Sequence, residues 1–161
     1  MIKIILLIFD KIIYILVAFL FLIMVIMLFA QVISRYVFSF PVMWSEEMGR
    51  YIFIWLSYLG GAFALKEKRH LFVDVLFNKL KYSLRMKMLF IIYFLVLIFL
   101  SFVFIYGLQY TKLNWYEFAY STRFVKVGWA YAAIPVGSLF MIINIIRILA
   151  EILKKGSDIK K

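Results

Sequence analysis

Residues 12–34 read IIYILVAFLFLIMVIMLFAQVIS, 23 consecutive positions without Asp, Glu, Lys or Arg. A helix rising about 1.5 Å per residue needs about 20 such positions to cross the ~30 Å hydrocarbon layer of a bilayer. The run is therefore read as a membrane span. Two further charge-free runs reach that length, Met88 to Thr111 and Val127 to Ile146. A fourth, Tyr51 to Leu65, has only 15 uncharged residues, and at about 1.5 Å each it crosses only if its charged first turn also enters the membrane. The rest of the composition agrees, since 67% of the 161 residues are apolar and the mean hydropathy is +1.02. A soluble domain of this size is about half apolar and has no interior large enough for the excess.

The bases lie between the runs rather than along one face, which argues against nucleic acid as a partner and for a membrane topology. With the N-terminus cytoplasmic, 14 of the 19 Lys and Arg fall inside and five outside, namely Arg35, Arg50, Lys112, Arg123 and Lys126. That asymmetry requires an even number of crossings. The sequence therefore predicts an all-α integral membrane protein of one domain, 1–161. It has four transmembrane helices at about 11–36, 45–66, 87–111 and 127–150, and both termini are cytoplasmic. Trp44, Trp115 and Trp129 then fall near outer helix ends, where aromatic rings favour the headgroup layer. The first run is too long for a signal-peptide core and offers no small-residue cleavage site, so it is expected to be retained.

Within this frame, Ser39-Phe40-Pro41 breaks the first helix near Val37 and forms the outer turn. Ser45 is expected to cap the second helix, with Glu46 and Glu47 in its first turn at the positive end of the dipole. Glu46 and Arg50 are placed for an i,i+4 ion pair, and Glu47 for a base such as Arg35 across the turn. Gln31 lies one turn before Arg35. Gly60, Gly61, Ala62 and Ala64 offer a small-residue surface for close helix contact. His70, Asp74, Asn78 and Lys81 recur at helical spacing, which predicts an interfacial amphipathic helix at about 69–82 on the cytoplasmic surface. In the fourth span Pro135 and Gly137 should bend or loosen the helix, and Asn144 needs a partner inside the membrane.

Little of this supports catalysis. The chain has no Cys and a single His, so thiol relays, bis-imidazole haem and multi-histidine metal sites cannot be assembled from it alone. No phosphate loop and no nucleophile beside a base occurs. Catalytic, metal and cofactor residues are accordingly expected to be absent. His70 reads either as a polar-face or capping residue or as a specific partner contact. The cluster Arg35, Glu46, Glu47 and Arg50 reads either as mutual neutralisation pinning the first two helices together, or as a surface that docks a partner protein or guides a ligand.

A set of spaced residues then resembles the small membrane subunit of TRAP transporters, the DctQ-like family. These are Gln31-Val32-Ile33-Ser34-Arg35-Tyr36-Val37-Phe38, Pro41, Trp44-Ser45-Glu46-Glu47 with Arg50 and Tyr51, and Gly60-Gly61-Ala62. His70 with Val73-Asp74, and Ile134-Pro135-Val136-Gly137, complete the set. The resemblance implies a sodium-coupled secondary transport system that imports organic acids in the bacterial inner membrane. In such a system a periplasmic binding protein delivers the carboxylate and a large permease subunit carries it. It also implies that the small subunit is a scaffold, packed beside the large one in membrane lipid and free of an ion site of its own. On that reading Gln31, Arg35, Trp44, Glu46, Glu47, Arg50, Tyr51, Gly60, Gly61, His70, Asp74 and Pro135 serve as interface or structural pin. A self-sufficient homodimeric transporter, and a membrane-embedded enzyme or redox subunit, are the alternative functions.

Overall fold

A computed structural model describes residues 2–40, 42–67 and 82–158. His70, Asp74, Pro41 and all but the last residue of the expected amphipathic segment lie outside the described residues. The described chain is helical: α1 (Ile2–Tyr36), α2 (Met43–Glu67), α3 (Tyr82–Leu113), the short α4 (Val127–Tyr131) and α5 (Ala133–Asp158). Three stretches are long and apolar enough to cross a bilayer, Lys11–Tyr36, Leu84–Leu113 and Val127–Lys154. α2 is not among them, because Glu46, Glu47 and Arg50 crowd its first turns and Lys66 and Glu67 end it.

α1 closes on a left-handed residue, Ser39, at φ 52°. The Phe40 N–H returns to the Ser34 carbonyl at 3.1 Å, and the Ser34 hydroxyl donates to the Phe40 carbonyl at 2.6 Å. These bonds satisfy carbonyl and amide groups that the helix end would otherwise leave to solvent. α2 then starts two residues earlier than expected, at Met43. Ser45 is not its N-cap: its hydroxyl donates to the Val42 carbonyl at 2.8 Å, and its N–H reaches the same oxygen at 3.2 Å. With Val42 accepting both, the serine sits inside the first turn and not at the cap position.

The helices lie side by side in the order α1, α2, α5, α3, with α4 seated where α2, α3 and α5 converge. Contacts along each seam fix the relative directions. Leu28 of α1 meets Gly49 of α2 while Tyr14 meets Phe63, so these two helices are antiparallel. Tyr58 approaches Gly137 and Met141 approaches Gly61, so α2 and α5 are parallel. Gly107 meets Ile134, and Thr111 meets Tyr131, so α3 and α5 are antiparallel. α1 and α3 therefore both run toward the end that carries the 114–126 loop, here the loop end.

A row of helices has a thin core. Among the described residues the buried apolar side chains are few and half of them are alanines, Ala62, Ala119, Ala130 and Ala133, whereas α1 and α3 leave large side chains such as Phe19, Phe29, Phe99 and Phe102 exposed. In a bilayer those faces meet lipid or another chain, and burial inside this chain adds little there. Close approach instead comes from small residues and polar bonds. A Cβ on Gly137 would lie 2.5 Å from the Tyr58 Cβ and 3.0 Å from its carbonyl carbon. Two turns further along the same seam, the Asn144 side-chain amide donates to the Ala62 carbonyl at 2.9 Å, supplying the partner that a lone amide in hydrocarbon requires.

The proline acts one turn upstream of where a bend was expected. Pro135 has no N–H for the Tyr131 carbonyl and its ring crowds that group. The helix is accordingly interrupted at Ala132, between α4 and α5. The Thr111 hydroxyl of α3 fills the gap, lying 3.1 Å from the Tyr131 carbonyl and 2.7 Å from that of Gly107.

Candidate functional site

The polar centre of the chain sits at the loop end and is built on Glu47. One turn into α2, its carboxylate reaches the connection between α3 and α4. That connection is a small closed structure. Ala119 donates to the Val125 carbonyl at 2.8 Å, Val127 to that of Glu117 at 2.9 Å, and Arg123, at φ 49°, donates back to Ala119 at 3.0 Å. The turn leaves the N–H groups of Tyr120 and Ser121 directed at α2. Tyr120 donates to Glu47 Oε1 at 3.0 Å and Ser121 to Oε2 at 2.8 Å, while the Tyr51 hydroxyl donates to Oε1 at 2.8 Å.

Glu47 is thus 7% exposed yet fully engaged. It lies outside the three long apolar stretches and level with the loop. The N–H groups of Ser121 and Tyr120 and the Tyr51 hydroxyl together offset the cost of burying its charge. A charge held by three donors is a clasp between the second helix and the loop that joins the third to the fourth. A second bond reinforces it, from the Trp55 ring N–H to the Trp129 carbonyl at 3.0 Å.

The other expected site residues separate into two groups. Glu46, Arg50 and Arg35 are exposed and Gln31 is half-buried. Among the described residues no ion pair joins Arg35, Glu46, Glu47 and Arg50, so the expected neutralising network is replaced by amide donors on Glu47. Long side chains in water gain little by holding an ion pair, so Glu46 and Arg50 remain apart. Trp44 is half exposed. Tyr51 belongs to the clasp, and Pro135 is buried at the α3–α5 seam. Gly60 faces open space, and Gly61 meets the flexible end of Met141. Tyr120, Ser121, Thr111 and Tyr58 were not singled out by sequence. Their parts are played by backbone atoms or by a hydroxyl whose partner lies 20 residues away.

The arrangement binds the chain to itself and brings no reactive set together; among the described residues no three His, Asp or Glu gather to hold a metal. The family model for tripartite ATP-independent periplasmic transporters, DctQ component, matches residues 23–155, which include the clasp, both glycine seams and Asn144. The chain belongs to the DctQ family. It is similar to the sialic acid TRAP transporter small permease protein SiaQ of Vibrio cholerae, 25% identical over 77% of this chain and 71% of that one. It is also similar to the C4-dicarboxylate TRAP transporter small permease protein DctQ of the same species, 38% identical over 43% of this chain and 30% of that one. The sialic acid TRAP transporter permease protein SiaT of Haemophilus influenzae is 28% identical over 81% of this chain but only 21% of its own length. This chain thus corresponds to a minor part of that longer permease. As a DctQ protein it is the small subunit of a TRAP transporter, a multi-pass protein of the bacterial inner membrane.

Proposed function

We propose that this DctQ chain is a non-catalytic scaffold that works with a large permease subunit and a periplasmic binding protein in sodium-coupled import of small carboxylates. The observation that carries the reading is how its in-membrane polar groups are used. Ser57, Ser101, Thr111, Ser138 and Asn144 each donate to a backbone carbonyl of this chain. Transport sites at mid-membrane need polar groups left free to face a substrate. A row of helices with wide apolar flanks instead offers surface to a larger neighbour. The substrate class is supported by the relatives, whose names specify sialic acid and a C4-dicarboxylate, both carboxylates.

The proposed topology has four crossings at about 11–36, 45–66, 87–111 and 127–150, one domain, and both termini cytoplasmic. The seam directions support it. α1 and α3 run the same way, so the chain must return between them, and α2 lies antiparallel to α1 from Gly49 to Phe63. The segment around His70 and Asp74 is then cytoplasmic and the loop end periplasmic. Gln31, Arg35, Trp44, Glu46, Arg50 and Gly60 remain the proposed partner-facing set, with Glu47, Tyr51, Gly61 and Pro135 as internal pins.

The native chain has no Cys, so single cysteines report topology without background. In intact cells, Lys79→Cys is expected to resist a membrane-impermeant maleimide and Tyr120→Cys to react. Labelling at position 79 from outside would invert the proposed topology.

A further inference from the structure

At the last turns of α3 and the start of the loop, Leu108, Thr111, Lys112, Trp115 and Tyr116 line a groove of about 500 Å³, Leu108 giving it apolar and Trp115 and Tyr116 aromatic lining. Lys112 is exposed. A second cation is fixed nearby. Lys126 is held in the loop by its bridge to Phe118, and its ammonium stands over the Tyr116 ring, 6.0 Å from the centroid. Among the described residues neither lysine lies within ion-pair distance of a carboxylate.

Depth decides what can enter. Lys112 closes a 30-residue apolar stretch, Leu84–Leu113, so the groove opens at the boundary between hydrocarbon and headgroups. A site there with apolar and aromatic lining, one lysine in its wall and a second against its Tyr116 ring, matches one molecule, a lipid with a negative head. We propose that this groove binds a single phospholipid with an anionic headgroup, drawn from the leaflet at the loop end. Its phosphate lies between Lys112 and Lys126, its glycerol region against Trp115 and Tyr116, and the start of an acyl chain over Leu108. A zwitterionic lipid fits less well, because its own ammonium or choline meets the two lysines. The inference does not rest on the scaffold reading, only on the chain's place in the membrane.

Native mass spectrometry of the full chain, co-purified with its large permease in detergent, tests this by titration with phosphatidylglycerol and chain-matched phosphatidylcholine. One site should prefer phosphatidylglycerol by roughly tenfold to thirtyfold, the combined effect of two near-surface basic residues. Lys112→Gln with Lys126→Gln should abolish that site's preference, and Lys112→Arg with Lys126→Arg should keep it. If the double glutamine variant does not assemble, each single variant should lose roughly threefold to sixfold. No headgroup preference in the wild type overturns the proposal. So does a preference that survives both glutamines, and so does a groove filled by an acidic protein segment, which would leave lipid binding indifferent to headgroup.

Discussion

Leucine in place of Gly137 will push α2 off α5 and leave too little folded chain to purify. A Cβ at this position already lies 2.5 Å from the Tyr58 Cβ, 3.0 Å from its carbonyl carbon and 3.1 Å from its carbonyl oxygen. Two of those atoms are backbone and cannot rotate aside, so the helices must separate. Separation lengthens the Asn144–Ala62 bond further along the seam. Overpacking a close-packed site costs about 1–3 kcal/mol, and rigid neighbours favour the upper end. Gly137→Ala should therefore lower thermal stability clearly, and Gly137→Leu more. Gly107→Ala should cost less, because its nearest neighbour, at 2.7 Å, is a side-chain methyl of Ile134. Gly60→Ala should be neutral or slightly stabilising, since nothing lies within 4 Å and alanine is the better helix former. Thermal unfolding of the four variants, followed by fluorescence-detected size exclusion, gives the order directly. A Gly137→Leu chain as stable as wild type would show that α2 and α5 do not pack as described.

The second large effect is at Glu47. Alanine there strips the acceptor from the N–H groups of Tyr120 and Ser121 and from the Tyr51 hydroxyl. Hydrogen bonds to a charged group contribute about 1.5–3 kcal/mol each, but water reaches this end of the molecule, so a net loss of about 2 kcal/mol is expected. Hydrogen exchange should read this as roughly thirtyfold faster exchange of the two loop amides, with the central turns of α3 and α5 unchanged. Glu47→Gln should fall between, because its carboxamide can accept only through one oxygen. Exchanging charges, Arg35→Glu with Glu47→Arg, should fail to rescue, since the partners of Glu47 are donors that an arginine cannot accept from. Unchanged exchange at Tyr120 and Ser121 in the alanine variant would remove the clasp from the account.

The contrast between these two positions and the sequence shows where local pattern stops. Long apolar runs are legible because hydrocarbon thickness sets a minimum length, and Lys11–Tyr36, Leu84–Leu113 and Val127–Lys154 follow from it. The need of Asn144 for a partner was legible too, because an unpaired amide in lipid is costly, although the identity of that partner was not. Glu47 was visible as a first-turn acid. Its donors are amides 73 and 74 residues away, and an amide leaves no mark in a sequence. An arginine one helix earlier was the more conspicuous partner and proved to be elsewhere. The glycines carry the same lesson. Gly60-Gly61 is the conspicuous small pair, but which glycine faces a neighbouring helix depends on helix rotation, and Gly137 takes the closest contact. The proline's effect was misplaced by one turn because its missing N–H is felt at the carbonyl four residues earlier.

Whether this chain supports transport without performing it is open to one direct measurement. Proteoliposomes would carry the chain alone, or the chain with its large permease and with the binding protein supplied outside. Uptake of labelled sialic acid and of a labelled C4-dicarboxylate would be followed under an inward sodium gradient. The account predicts no uptake by the chain alone with either substrate. It predicts sodium-dependent uptake of a carboxylate only when all three components are present, and loss of that uptake when this chain is omitted. Ligand-dependent uptake by the chain on its own would contradict the scaffold assignment.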